Sequence, residues 1–152
     1  MSVKVNSVSY SNKPEYTSQK EHHVYKNDVY VTVSVEKSDV VVKLRFRILP
    51  GFKCDGASIP FAFRWFLPSW DKNNDLYNLG SSIHDGLYLH GGFGILSREE
   101  CDDVLRGIWR DSGISRFKAG VADKCVEWFA GGGKHWGNDS YGVKDLFKME
   151  VV

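Results

Sequence analysis

Two neighbouring stretches of alternating residues constrain the fold of this chain most strongly. Residues 29–35 read VYVTVSV and residues 40–49 read VVVKLRFRIL. A period of two places the apolar side chains on one face of a strand. Because only a short polar turn at residues 37–39 separates them, the two stretches predict an antiparallel β-hairpin. Its solvent face would carry Lys43, Arg45 and Arg47.

The second half of the chain has helical rather than strand periodicity. Apolar residues recur at helical spacing over residues 75–90, and Gly91 follows as a stop signal. Ser97 and Glu100 form the S-x-x-E pattern of a capping box at the start of a second helix. Ser115 is placed to cap a third. Strands first and helices after predict an α+β fold, with an N-terminal antiparallel hairpin or small sheet packed against about three C-terminal helices.

The length of 152 residues favours one domain. We divide it into an irregular arm, a strand region with an aromatic loop, a helical region and a tail. The arm carries at most one edge strand, and the tail is either a further short strand or a partner-docking segment. The four parts are residues 1–24, 25–73, 74–133 and 134–152.

Composition excludes several classes of partner. The formal net charge is only +1, which gives no signal for nucleic-acid binding. No apolar run reaches the roughly 18 residues of a membrane span, and the N-terminus has no apolar signal-peptide core. Cys54, Cys101 and Cys125 are widely spaced, which is not a disulfide framework and suits a reducing cytoplasm. The charges are uneven, because residues 54–111 hold five basic and nine acidic residues, a net charge of −4.

The loop at residues 51–60, GFKCDGASIP, is the first candidate for chemistry. Asp55 is a carboxylate in an otherwise apolar loop, and Ser58 follows three residues later. In one interpretation both side chains bond nearby backbone and tie the loop to itself. In the other, Asp55 points into a pocket as a ligand or base, since site residues favour loops held on a rigid scaffold.

The second candidate lies on the first helix, where His84 and Asp85 are adjacent and Tyr88 follows. His84 and Tyr88 are four residues apart and share a helix face. Imidazole together with carboxylates suits zinc, manganese or iron. The competing interpretation is a core histidine that is hydrogen-bonded to a neighbour.

The third candidate lies in the first turns of the second helix, where Arg98 precedes Asp102 and Asp103. Carboxylates there stabilise the helix dipole, which accounts for Asp103. Asp102 follows the apolar Cys101 and can turn inwards. A cluster of His84, Asp85 and Asp102 would then supply three ligands, the minimum for a catalytic divalent metal such as zinc or manganese.

Together these motifs carry a resemblance. The order GFxxDGASIP, HDxLY and SRxxxD is similar to that of a family of small uncharacterised proteins from tailed bacteriophages and prophages. The matching positions are Gly51, Phe52, Asp55 to Pro60, His84, Asp85, Leu87, Tyr88, Ser97, Arg98 and Asp102, and Trp136 fits the closing pattern. The resemblance covers roughly residues 40–136. It implies a phage or prophage origin and a location in the bacterial cytoplasm or the virion. It does not indicate which activity the protein has.

Two functions remain open. The first is a small hydrolase, metal-assisted or with His84 as base, that acts on a cell-wall or nucleotide substrate. Its catalytic residues would be Asp55, His84 and Asp85, with Ser58 and Tyr88 as orienting groups. The second is a non-enzymatic virion or tail accessory protein, or a binder of a host factor. The same motif residues, with Arg98, would then form a buried network, and Trp65 and Trp70 would face a partner.

Overall fold

The computed structural model of the chain describes residues 2–19, 22–55, 67–129, 136–139 and 141–152. Within these ranges, strands occupy the N-terminal part and the C-terminal end, and helices lie between them. The strands are β1 (Lys4–Ser11), β2 (Tyr16–Gln19), β3 (His22–Tyr25), β4 (Val29–Lys37), β5 (Val40–Ile48), β6 (Lys53–Cys54) and β7 (Phe147–Val151). The helices are α1 (Asp75–Leu89), α2 (Arg98–Asp111) and α3 (Arg116–Phe129), with short 3-10 turns at Gly91–Gly94 and Lys144–Leu146. The predicted α+β fold is confirmed.

The predicted hairpin is the centre of a four-stranded antiparallel sheet with the order β1-β4-β5-β7. Ser38 and Asp39 both have positive φ, which matches the twist of a two-residue hairpin turn. Val31 lies opposite Phe46, and Val33 lies opposite Leu44. All four side chains are buried. One face of the sheet therefore packs into the hydrophobic core, and the opposite face carries the predicted basic residues.

Helices α1 and α2 cover the buried face of this sheet, and glycines set how closely they approach. A Cβ atom on Gly86 of α1 would lie 2.4 Å from the ring of Phe147 in β7. A Cβ atom on Gly107 of α2 would lie 2.4 Å from Val5 of β1. Real Cβ atoms do not come that close to other atoms, so α1 and α2 lie on the sheet at distances that only glycine permits.

The arm is not irregular, which corrects the sequence-based prediction. Residues 1–24 contain β1, β2 and most of β3. β1 pairs along β4 with an irregularity between Val5 and Ser7, and β2, β3 and β6 form a second, three-stranded antiparallel sheet. These strands were missed because β1 and β2 expose most of their side chains, so their sequences lack a clear apolar alternation.

The two capping residues predicted from the sequence, Ser97 and Ser115, are confirmed by their hydrogen bonds. Ser97 and Glu100 form the reciprocal capping box at the start of α2. Ser115 Oγ accepts a hydrogen bond from the backbone N–H of Lys118 at the start of α3. The tail contributes a strand, β7, which pairs with β5. In the described part of the chain, no helix has both the length and the apolar character needed to cross a membrane.

Candidate functional site

The first polar cluster joins α1 to α2, and we call it the helix-pair cluster: His84, Tyr88 and Asp102. His84 Nε2 lies 2.6 Å from Asp102 Oδ1, and the Tyr88 hydroxyl donates to the same oxygen at 3.1 Å. The His84 ring is 7% exposed. Burial, followed by the charge of Asp102 and its hydrogen bond, holds the pKa of Tyr88 well above its usual value. A single carboxylate oxygen of Asp102 therefore orients two rings of α1.

The second cluster lies where β3, β6 and the tail meet, and we call it the strand-end cluster: His22, Asp55 and Tyr141. The Tyr141 hydroxyl donates to Asp55 Oδ1 at 2.5 Å, and His22 Nδ1 lies 2.9 Å from the same oxygen. The Asp55 side chain is 54% exposed. Burial, followed by the hydrogen bond to Asp55 and its charge, raises the pKa of Tyr141 above the usual range. This cluster holds a carboxylate in contact with solvent.

Asp85 lies between the two clusters, on α1. Its half-buried carboxyl has a raised pKa of about 7, mainly because burial penalises the charged form. The charge of Asp55 raises it further, whereas the charge of His84 and a backbone hydrogen bond from Asp55 lower it. That hydrogen bond places the Asp85 carboxyl against the end of β6. Asp85 and Asp55 are thus neighbouring acidic residues whose carboxyl groups lie in different environments.

A chain of buried polar groups fixes β6 on α1 beneath this point. Cys54 Sγ lies 3.4 Å from the Ser82 hydroxyl, which lies 2.7 Å from the Tyr25 hydroxyl. Ser82 Oγ also donates to the Asn78 carbonyl of its own helix at 2.9 Å. Burial holds the pKa of Tyr25 well above its usual value, so the phenol stays neutral. These contacts position Asp55, the next residue after Cys54, against the middle of α1.

The structure does not assemble the predicted metal set of His84, Asp85 and Asp102. Consecutive residues of a helix project about 100° apart. His84 therefore faces α2 and Asp102, whereas Asp85 faces β6. Across the ranges that the structure describes, no group of three or more His, Cys, Asp or Glu side chains is arranged to hold a metal ion.

The other predicted site residues have varied positions. Arg98 is exposed, and its charge lowers the pKa of Tyr88, but within the described residues it forms no ion pair with Asp85 or Asp102. Trp70 is half-buried and its ring stacks on that of His23, with the centroids 3.9 Å apart. Ser58 and Trp65 lie outside the described residues.

Sequence reasoning missed His22 and Tyr141 of the strand-end cluster. They lie 33 and 86 positions from Asp55, so no local motif connects them. His22 was assigned to an irregular arm, and Tyr141 to an undecided tail. His23 pairs with Cys54 in the second sheet, so the register brings the preceding His22 beside Asp55. Only the assignment of residues 22–25 to a strand reveals that neighbour.

A comparison with protein-family models matches residues 29–126 to a family described as proteins of unknown function, DUF1353. The match covers most of the chain and spans β4 to α3, including Asp55, His84, Asp85 and Asp102. Neither the curated proteins nor the solved structures gave a match in the corresponding comparisons. The chain belongs to the DUF1353 family.

Proposed function

We propose that this member of the DUF1353 family is a hydrolase of bacterial cell-wall glycan, in which Asp85 is the general acid and Asp55 the second carboxylate. The observation that carries the proposal is the contact between the two residues, in which the backbone of Asp55 bonds the half-buried Asp85 carboxyl while its own side chain faces solvent. Glycoside hydrolysis uses such a pair, one carboxyl protonated and the other ionised.

Each carboxyl has one task in the proposed reaction. Asp85 gives its proton to the oxygen of the leaving sugar as the glycosidic C–O bond breaks. Asp55 takes a proton from the water whose oxygen forms the new C–O bond. The raised pKa of about 7 keeps a large fraction of Asp85 protonated near neutral pH, as a general acid requires.

The neighbouring residues hold these two carboxyls in place. Tyr141 and His22 fix the orientation of Asp55 through its Oδ1 atom. Asp102 fixes the ring of His84, whose charge acts on the adjacent Asp85. We therefore assign Tyr141, His22 and Asp102 as positioning residues.

The charge of the site favours glycan over nucleotide. Asp55, Asp85 and Asp102 lie in a segment of net charge −4, and carboxylates repel phosphate groups. A glycan strand carries no phosphate and has the bond that a carboxyl pair cleaves. We take a phage origin from the sequence resemblance, and such an origin agrees with a cell-wall substrate and with a location in the cytoplasm of an infected bacterium or in the virion.

The proposal is tested with purified bacterial sacculi as the substrate and released reducing ends as the readout, from pH 5 to pH 8. We expect release by the wild type and a loss of at least about 100-fold in Asp85→Asn and in Asp55→Asn. The control is Asp111→Asn, which changes an exposed carboxyl at the end of α2 and should retain full activity. No release by folded wild-type protein across this pH range would overturn the proposal.

The second candidate is a non-enzymatic virion or host-binding protein, and the helix-pair cluster favours it. His84 and Tyr88 both hydrogen-bond Asp102, and His84 and Asp102 are largely buried, as expected of a network whose task is to join two helices. If the cluster has that role alone, its substitution lowers the stability of the protein, and the sacculus assay detects no hydrolysis. Inactive wild-type protein together with strongly destabilised Asp102 variants would favour this candidate.

A further inference from the structure

A shallow groove of about 440 Å³ lies on the outer face of the four-stranded sheet. Its lining residues come from β1, β4 and β5 and are Ser9, Tyr10, Ser11, Tyr30, Thr32 and Arg45. Ser9 pairs with Thr32, and Ser11 pairs with Tyr30. Side chains alternate along a strand, so Thr32 faces away from its buried neighbours Val31 and Val33. The groove is therefore on the side of the sheet opposite the helices and the carboxyl pair.

An aromatic ring is held rigidly at this groove. The guanidinium carbons of Arg45 and Arg47 each lie 5.5 Å from the centroid of the Tyr30 ring. Arg47 is fixed by a two-pronged ion pair with Asp28, at 3.1 and 3.3 Å, and Arg45 is paired with Glu150. Two ion-paired guanidinium groups thus lie near the Tyr30 ring and restrict its rotation before any ligand arrives.

Residues with hydroxyl groups line the same groove as that ring. Ser9, Ser11 and Thr32 each present a hydroxyl that can donate one hydrogen bond and accept two. None of these three side-chain hydroxyls bonds another protein group among the described residues, so their hydrogen-bonding capacity is open to a ligand. A row of hydroxyls beside an aromatic ring matches a ligand that itself carries many hydroxyls on an apolar ring.

We propose that this groove binds a neutral oligosaccharide. The charges at the groove disfavour a nucleic acid, because Glu150 and Asp28 already neutralise Arg45 and Arg47. A nucleic acid needs unpaired cations for its phosphates, whereas a sugar needs hydroxyl partners and a ring to pack on. The inference does not rest on the proposed hydrolase, since the groove lies on the other face of the sheet and binding requires no reaction.

The test is an NMR titration of the full ¹⁵N-labelled chain with the β-1,4-linked hexamer of N-acetylglucosamine. The protein carries Asp85→Asn, so that hydrolysis cannot consume the probe. We expect shifts concentrated on the amides of β1 and β4 that line the groove. Tyr30→Ala should weaken binding about tenfold, and Thr32→Val, which keeps the shape and removes the hydroxyl, about threefold.

Lys43→Ala is the matched control. Lys43 lies on the same face of β5, two residues from Arg45, and does not line the groove, so binding should be unchanged. Folding of each variant is confirmed by its thermal melt. Three results would overturn the proposal: no shifts at millimolar hexamer, shifts confined to α1 and β6, or tighter binding of a six-residue thymidine oligonucleotide than of the sugar.

Discussion

His84 and Asp85 are consecutive on α1, yet they belong to two very different environments. His84 is buried against α2, where a carboxylate oxygen and a tyrosine meet its ring. Asp85 faces the end of β6, where burial and the charge of Asp55 both raise the pKa of its carboxyl. The polar groups of the helix-pair cluster meet at one carboxylate, whereas the region of Asp85 and the strand-end cluster holds two carboxyl groups whose charges act against each other.

The difference separates a cluster that mainly stabilises the fold from the proposed acid within one turn of helix. A buried group with its partners in place stabilises the fold, because removing one partner leaves the other desolvated and unbonded. A carboxyl with a raised pKa costs stability when it ionises, and proteins retain such groups where a proton has to move. Substitutions on the two sides of α1 should therefore change the free energy of unfolding in opposite directions.

The largest effect should come from Gly86→Ala, which tests whether both environments depend on the close approach of α1 to the sheet. The new Cβ atom would lie 2.4 Å from the buried Phe147 ring, so we expect a loss of about 3 kcal/mol in the free energy of unfolding. Chemical denaturation measures it. Gly120→Ala in α3 is the control, since its Cβ would meet nothing within 4 Å and should stabilise by about 0.5–1 kcal/mol. Equal effects at both positions would contradict the packing.

Asp102→Ala breaks the satisfied side of the comparison. Both His84 and Tyr88 lose their acceptor, so we expect a loss of about 2–3 kcal/mol in the free energy of unfolding. Tyr88→Phe removes only the longer of the two hydrogen bonds and should cost about 1 kcal/mol. Urea denaturation at pH 7 gives both values. A loss below about 0.5 kcal/mol in Asp102→Ala would show that the cluster does not join the helices.

Asp85→Asn tests the side of α1 that carries the raised carboxyl pKa, and its effect on stability should have the opposite sign. Below about pH 4 Asp85 is protonated in both the folded and unfolded states, so ionisation costs nothing. Between there and pH 7 the folded protein loses stability as pH rises, because only the unfolded chain ionises freely. Allowing for partial exposure, we expect the variant to gain about 2 kcal/mol over wild type at pH 8, and the gain to disappear near pH 4. A stability difference that does not change with pH would contradict the raised pKa.

Tyr141→Phe should have the smallest effect on stability. Its hydrogen bond to Asp55 lies at the surface, so we expect a change within about 0.5 kcal/mol in the free energy of unfolding. The functional effect should be larger, because Asp55 loses its donor, and sacculus hydrolysis should fall about tenfold. Melting and activity assays on the same preparation separate the two. A large loss of stability would mean that Tyr141 anchors the tail rather than orienting Asp55.

The strands and helices could be predicted where the residues repeat with a clear period. The β4–β5 hairpin follows from the alternation of apolar residues in both strands, and α2 follows from its capping box and apolar spacing. β1 and β2 could not be predicted, because they expose most of their side chains and are held by pairing with β4 and β3. That pairing is a tertiary effect that local propensity does not report.

Of the two clusters, the contact between His84 and Asp102 could be predicted from the sequence. Asp102 turning inwards towards His84 follows from its place beside Cys101, and the 2.6 Å contact confirms it. The separation of Asp85 from that pair depends on the angle between consecutive helical side chains and on which neighbour each one meets. The partners of Asp55 come from β3 and the tail, at separations that no spacing rule spans.

The most direct test of the central claim is a ¹³C NMR titration of the side-chain carboxyl of Asp85, in wild type and in Asp55→Asn. The account predicts a pKa of about 7 in wild type and a lower pKa in Asp55→Asn, because the charge of Asp55 contributes to the rise. A wild-type pKa near 4, the ordinary value for an aspartate, would contradict the proposed role of Asp85 as general acid.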